Sequence, residues 1–113
     1  MDMVVSEPEA GVTCIRLNGR LDAPGADRID LRFTAHAAAG AHHAVVDMAG
    51  VNFIASMGLR LLISAARAMH VKGRKMVLFG AAGPVREVLE QAAIDQIIPL
   101  VEDEAQALER LRG

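Results

Sequence analysis

Val46-Asp47-Met48-Ala49-Gly50-Val51-Asn52-Phe53-Ile54-Ala55-Ser56-Met57-Gly58-Leu59 carries the chain out of an apolar run and into a helix start, and its reading decides the fold. The run Ala44-Val45-Val46-Asp47-Met48 is short and almost continuously apolar, as suits a central strand covered by helices. Downstream of Ser56, the residues Leu59, Leu62, Ile63, Ala66 and Met69 form an apolar stripe at helical spacing that ends near His70 and Gly73. A buried strand that feeds an amphipathic helix is therefore the organising unit of the chain.

The flanking segments extend this pattern. Met3–Val5 and residues 12–17 read as a hairpin whose second strand ends at the turn signal Asn18-Gly19. After Asp22-Ala23-Pro24, residues 25–39 place Ile29, Phe33 and Ala37 on one helix face, with Gly40 as the stop. Toward the C-terminus, Met76-Val77-Leu78-Phe79 is a second buried strand closed by Gly80. A helix then begins at Pro84, with Val85, Val88, Leu89 and Ala92 inward. Ile97–Val101 reads as a last strand that Pro99 confines to an edge, and residues 103–112 as a helix with Ala105, Leu108 and Leu111 inward. The order β-β-α-β-α-β-α-β-α predicts an α/β fold, one domain over residues 1–113, with helices packed on a mixed sheet whose parallel part is built by right-handed crossovers.

Composition narrows the function. Of 113 residues, 52% are hydrophobic, enough for a core. That core must be aliphatic, because three Phe, no Trp and no Tyr leave few platforms for stacking bases or sugars. The net charge is −2 and the basic residues are scattered, which argues against nucleic-acid binding. A single cysteine, Cys14, excludes an internal disulfide, and its apolar neighbours mark it as a buried small hydrophobe. Residues 1–11 do not read as a signal peptide, and no apolar run approaches the roughly 20 residues that span a bilayer. The expectation is a cytoplasmic protein without membrane insertion.

Ser56 has two readings. As an N-cap, its hydroxyl accepts a hydrogen bond from a first-turn amide. As a phosphoacceptor, it stands where free amides and the positive end of the helix dipole favour added negative charge. Ser56-Met57-Gly58 also matches half of a hydrolase nucleophile elbow. The first glycine of that motif is replaced by Ile54, however, and no histidine follows Asp95, the candidate triad acid. No catalytic residue is therefore assigned.

His42-His43 lack a carboxylate or cysteine at ligand spacing, so no metal site is expected and the pair reads as loop. Gly80-Ala81-Ala82-Gly83 lacks the Lys-Ser/Thr ending of a phosphate loop and reads as a strand-to-helix turn. No cofactor is expected. Asp22 reads as a cap of the first helix. Arg60, one turn after Ser56, is either a solvated charge or a partner for a phosphate on Ser56.

Together, Leu17-Asn18-Gly19-Arg20-Leu21-Asp22, the segment 46–59 and Gly80-Ala81-Ala82-Gly83-Pro84-Val85 resemble a STAS domain of the anti-sigma factor antagonist type over nearly the whole chain. The stretch from Val85 to Leu100 also looks like that family's closing helix and strand. The resemblance implies a non-enzymatic binding module. In that family, the unphosphorylated protein binds a partner of the GHKL ATPase type that is both anti-sigma factor and serine kinase, and so releases a sigma factor. Phosphorylation of the serine at the second helix ends the complex, and a serine phosphatase restores it.

Ser56 falls on the phosphoacceptor and Asp22 on the acidic position at the partner surface. Ile54, Ala55, Met57, Gly58, Leu59 and Arg60 complete the expected partner face. Ala55 stands where the family more often has an acidic residue, and Met57 where a second hydroxyl is common. The protein is expected to be a monomer when free. The competing reading is a constitutive STAS scaffold or regulatory subunit of a transporter or lipid-trafficking assembly, with Ser56 only a helix cap.

Overall fold

The computed structural model describes residues Met1–Arg112. Strand β1 (Asp2–Glu9) and strand β2 (Val12–Leu21) form an antiparallel hairpin. Its turn is Ala10-Gly11, where Gly11 takes the positive φ of +81° that glycine adopts without penalty. Helix α1 (Ala23–Ala37) leads to β3 (His43–Ile54), α2 (Ser56–Val71) to β4 (Met76–Phe79), and α3 (Gly83–Gln91) through a 3₁₀ turn at Ile94–Gln96 to β5 (Leu100–Val101). Helix α4 (Glu104–Arg112) follows. The strands lie in the order β1-β2-β3-β4-β5, antiparallel only at the first pair. The mixed α/β sheet expected from the order of the elements is what forms.

Period-two alternation in the central strands divides the apolar residues between two faces. Ile15, Leu17, Val46, Met48 and Leu78 face one way and join Phe33, Leu62, Met69 and Leu89 from α1, α2 and α3 in the larger core. Val12, Cys14, Val45, Val77 and Phe79 face the other way and are covered by α4 through Ala107, Leu108 and Leu111. Three helices on one face and one on the other explain why β4 is buried at all four positions.

Several boundaries differ from the sequence expectation. Asn18-Gly19 is not a turn: β2 runs on to Leu21 because β3 continues to pair with it, and Gly19 sits at a shift of register with φ +113°. β3 likewise runs to Ile54, well beyond the short apolar run that ends at Met48. The last strand is only Leu100–Val101, because Pro99 has no amide to donate, and it lies at the sheet edge as expected. His43 opens β3 instead of belonging to the loop. In α4 the inward alanine is Ala107, not the exposed Ala105, and Ala92 lies exposed just beyond α3.

Cys14 is 3% exposed, and burial, reinforced by the Glu104 carboxylate, pushes its thiol up to about 11. The unfolded chain releases this proton first, from about pH 8.5. Stability therefore falls as pH rises from there toward the folded value. At pH 8 an aromatic disulfide reagent should leave the native thiol almost untouched and titrate one thiol per chain in denaturant, and a rapid native reaction would show that Cys14 is accessible.

Candidate functional site

The parallel pairing of β2 with β3 sets Arg20 opposite Phe53 and Leu21 opposite Ile54, so both strands leave the sheet at the same end. The Ala55 amide donates to the Leu21 carbonyl at 3.2 Å and prolongs this pairing by one residue. The register shifts twice along the way, between Arg16 and Asn18 and between Gly19 and Arg20. Asp47 stands beside the first shift. Its Oδ1 accepts from the Ala49 amide at 2.9 Å and its Oδ2 lies 3.2 Å from Arg16 Nε.

At the exit of β2, Asp22 caps α1, as its sequence position predicts. Its Oδ1 accepts from the Gly25 amide at 2.9 Å. Arg20 Nε donates to Asp22 Oδ2 at 3.2 Å, and the Arg20 guanidinium lies 4.1 Å from the centroid of the Phe53 ring. The Gly25 amide and then Arg20 hold the Asp22 carboxyl below the usual carboxylate value. The arginine thus bridges an anion and an aromatic face, which fixes a side chain that would otherwise be free. A Cβ at residue 25 would collide with the Arg20 carbonyl, so glycine is required for the cap to close.

At the exit of β3, Ala55 is the N-cap of α2, in extended conformation, and no side-chain hydrogen bond closes this end. Ser56 is therefore not the cap. It is the first residue of the helix, exposed, in a first turn that contains no acidic residue. Free amides and an uncompensated positive dipole end surround its hydroxyl. Met57 beside it is 44% exposed.

The rest of the expected partner face divides by depth. Arg60 is exposed and lines a groove between α1 and α2 with Asp27 and Asp30 opposite. Ala55 and Leu59 are half-buried, whereas Ile54, 4% exposed, and Gly58 are turned inward. Ile54 and Gly58 therefore support the surface from beneath. A Cβ on Gly58 would stand 2.5 Å from the Leu21 carbonyl oxygen, so glycine lets the helix start rest directly on β2.

The sequence reading did not single out Arg20 and Phe53. Each looks like an ordinary strand residue, and only the cross-strand register makes them neighbours. Among the described residues, no group of three or more His, Cys, Asp or Glu could hold a metal ion, and no helix is long and apolar enough to cross a membrane. His42 lies 3.3 Å from the Thr13 hydroxyl, while His43 Nδ1 accepts from the Lys75 amide at 3.0 Å. The two rings therefore serve different strand ends.

A model of the STAS domain matches residues 4–107. The chain belongs to the STAS domain family. A curated relative, an anti-sigma F factor antagonist of Paenibacillus polymyxa, is 26% identical over 106 residues, which is 93% of this chain and 91% of that protein. The solved structure of an anti-sigma-factor antagonist (STAS) domain protein from Planctomyces limnophilus superposes with a TM-score of 0.88 at 25% identity, covering all of both chains. SpoIIAA of Bacillus, an anti-sigma factor antagonist, shares the fold in both of its solved forms. The TM-score is 0.72 at 22% identity for the unphosphorylated form, over 99% of each chain. For the phosphorylated form it is 0.74 at 19% identity, over 98% of this chain and 100% of that one.

The close seat of the STAS helix start on β2 can be tested by Gly58→Ala. The added methyl must displace backbone or Leu21, and overpacking of this kind costs about 2 kcal/mol. Urea unfolding should show a lower midpoint with an unchanged slope, and a midpoint equal to the parent's would mean that the helix start has room to move.

Proposed function

We propose that this STAS domain is an anti-sigma factor antagonist. Unphosphorylated, it docks a cytoplasmic anti-sigma factor that is also a serine kinase of the GHKL ATPase type, and so frees a sigma factor. Phosphorylation of Ser56 ends the complex, and a serine phosphatase restores binding. The protein acts by occupying a surface and performs no catalysis itself.

The observation that carries this reading is the exposed Ser56 hydroxyl, first in a helix whose N-terminus no side chain caps. A kinase can reach it. The first-turn amides and dipole tolerate a phosphate there, so modification leaves the fold intact. The consequence falls on the surface, where about −1.5 to −2 charges appear beside the exposed Met57. The curated relative's name supports the functional class. That SpoIIAA keeps this fold in phosphorylated form supports the compatibility of the architecture with phosphate.

On this reading Asp22, Ala55, Met57, Leu59 and Arg60 meet the partner around Ser56, while Ile54 and Gly58 hold the surface in shape. Arg20 keeps Asp22 and Phe53 in fixed positions beside them.

The deciding experiment incubates the protein with ATP and the candidate serine kinases of the same genome. Mass spectrometry should then place one phosphate on Ser56 and none on Ser56→Ala. Phosphate should weaken the complex more than about a hundredfold, the equivalent of roughly 3 kcal/mol, and Ser56→Asp should weaken it in the same direction. Undiminished binding by Ser56→Asp together with no phosphate transfer would leave a constitutive scaffold.

Met57→Ser tests the apolar part of the surface. Loss of a thioether from the docking face should weaken binding roughly tenfold with little change in unfolding midpoint, and equal affinity would remove Met57 from the interface.

A further inference from the structure

The parallel strands have a second end, and a pocket of about 530 Å³ opens there, away from Ser56. It lies between the C-terminal part of α2, the start of β4, the loop before β5 and the end of α4. Two arginines, Arg74 and Arg110, line it together with His70 and Lys75. Among the described residues that line it, the one carboxylate is Glu109, which is 3.4 Å from Arg112 outside the pocket. This concentration of positive charge stands in a protein whose net charge is −2.

Two features are not explained by the fold. Arg74 Nε is buried and has no hydrogen-bond partner, a condition that costs free energy in any folded chain. Ile97, at the pocket, is 45% exposed although its neighbour Ile98 is fully buried. Two carbonyls at the end of α2 are already engaged by the turn that follows it. Met69 O accepts from the Lys72 and Arg74 amides, and His70 O from Gly73.

We infer that this pocket binds a small organic anion, its phosphate or carboxylate head between Arg74 and Arg110 and its apolar body against Ile97 and Pro99. A guanidinium presents a planar fork of donors that matches either oxyanion, and turning that fork to the ligand gives Arg74 Nε the acceptor it lacks. The apolar wall selects against bare inorganic ions. The site is separate from the surface around Ser56, and the inference does not depend on the antagonist reading.

Phenyl phosphate is the first probe, titrated into the full chain at constant ionic strength while the arginine Nε–H resonances are followed by NMR. Saturable shifts at Arg74 and Arg110 are expected, with a melting temperature that rises as ligand increases. Inorganic phosphate should bind more weakly, and phenylacetate reports whether a carboxylate head serves equally. Arg74→Gln should lose affinity by about tenfold or more.

Ile97→Ser, at an exposed position that the fold tolerates, should weaken phenyl phosphate but not inorganic phosphate. Ser56→Ala should bind as the parent does, which keeps this test apart from the kinase experiment. Shifts spread evenly over Arg28, Arg32 and Arg67, or parent-like affinity in Arg74→Gln, would overturn the assignment. So would a response to an acidic peptide alone, since the occupant would then be a protein segment.

Discussion

The parallel pairing of β2 with β3 is the constraint on which the other features depend. Ten residues of one strand run beside twelve of the other, and the difference is absorbed at two shifts of register. Asp47 braces the first through the Ala49 amide and Arg16, and Gly50 suits the second strand there because a Cβ would displace the Asn18 side chain and stand 2.9 Å from the Leu17 carbonyl oxygen. Without these adjustments the strands would not end together. Because they do, Arg20 meets Phe53, Ala55 bonds to Leu21, and the starts of α1 and α2 lie side by side.

That common exit is a rigid platform. Its underside is aliphatic and closed, with Leu21 fully buried, Ile54 nearly so, and Gly58 seated on the β2 backbone. Its upper side carries polar and apolar groups that the core does not use: Ser56, Met57, Arg60 and the Asp22–Arg20–Phe53 group. A charge added at Ser56 is thus separated from the packing that holds the sheet together. The switch proposed for Ser56 would therefore change what the surface can bind without altering what the domain is.

Helix α2 connects the two ends of the molecule. Its sixteen residues span about 24 Å, with Ser56 at its start and His70 in the basic pocket at its finish. The larger core grips it between these points through Leu62, Ala65 and Met69.

Residue patterns were sufficient for the order of elements, because period-two and helical spacings are local properties: Ala44–Met48 and the Phe33 face of α1 are where hydrophobicity placed them, while the buried face of α2 is centred on Leu61, Leu62, Ala65 and Met69, with Leu59, Ile63 and Ala66 of the expected stripe only at its margin. Asp22 as a cap was legible for the same reason, since its partner Gly25 is three residues away. What failed were inferences that needed a neighbour distant in sequence. Asn18-Gly19 carries every mark of a turn, yet pairing with Gly50 and Val51 keeps it in a strand. Ser56 has the chemistry of a cap, yet the extension of β3 through Ile54 hands that place to Ala55. Which side chains around Ser56 reach the surface, why Arg20 and Phe53 act together, and how Arg74 and Arg110 come to line one pocket follow from cross-strand register and helix packing. Those are decided only when segments tens of residues apart compete for the same space.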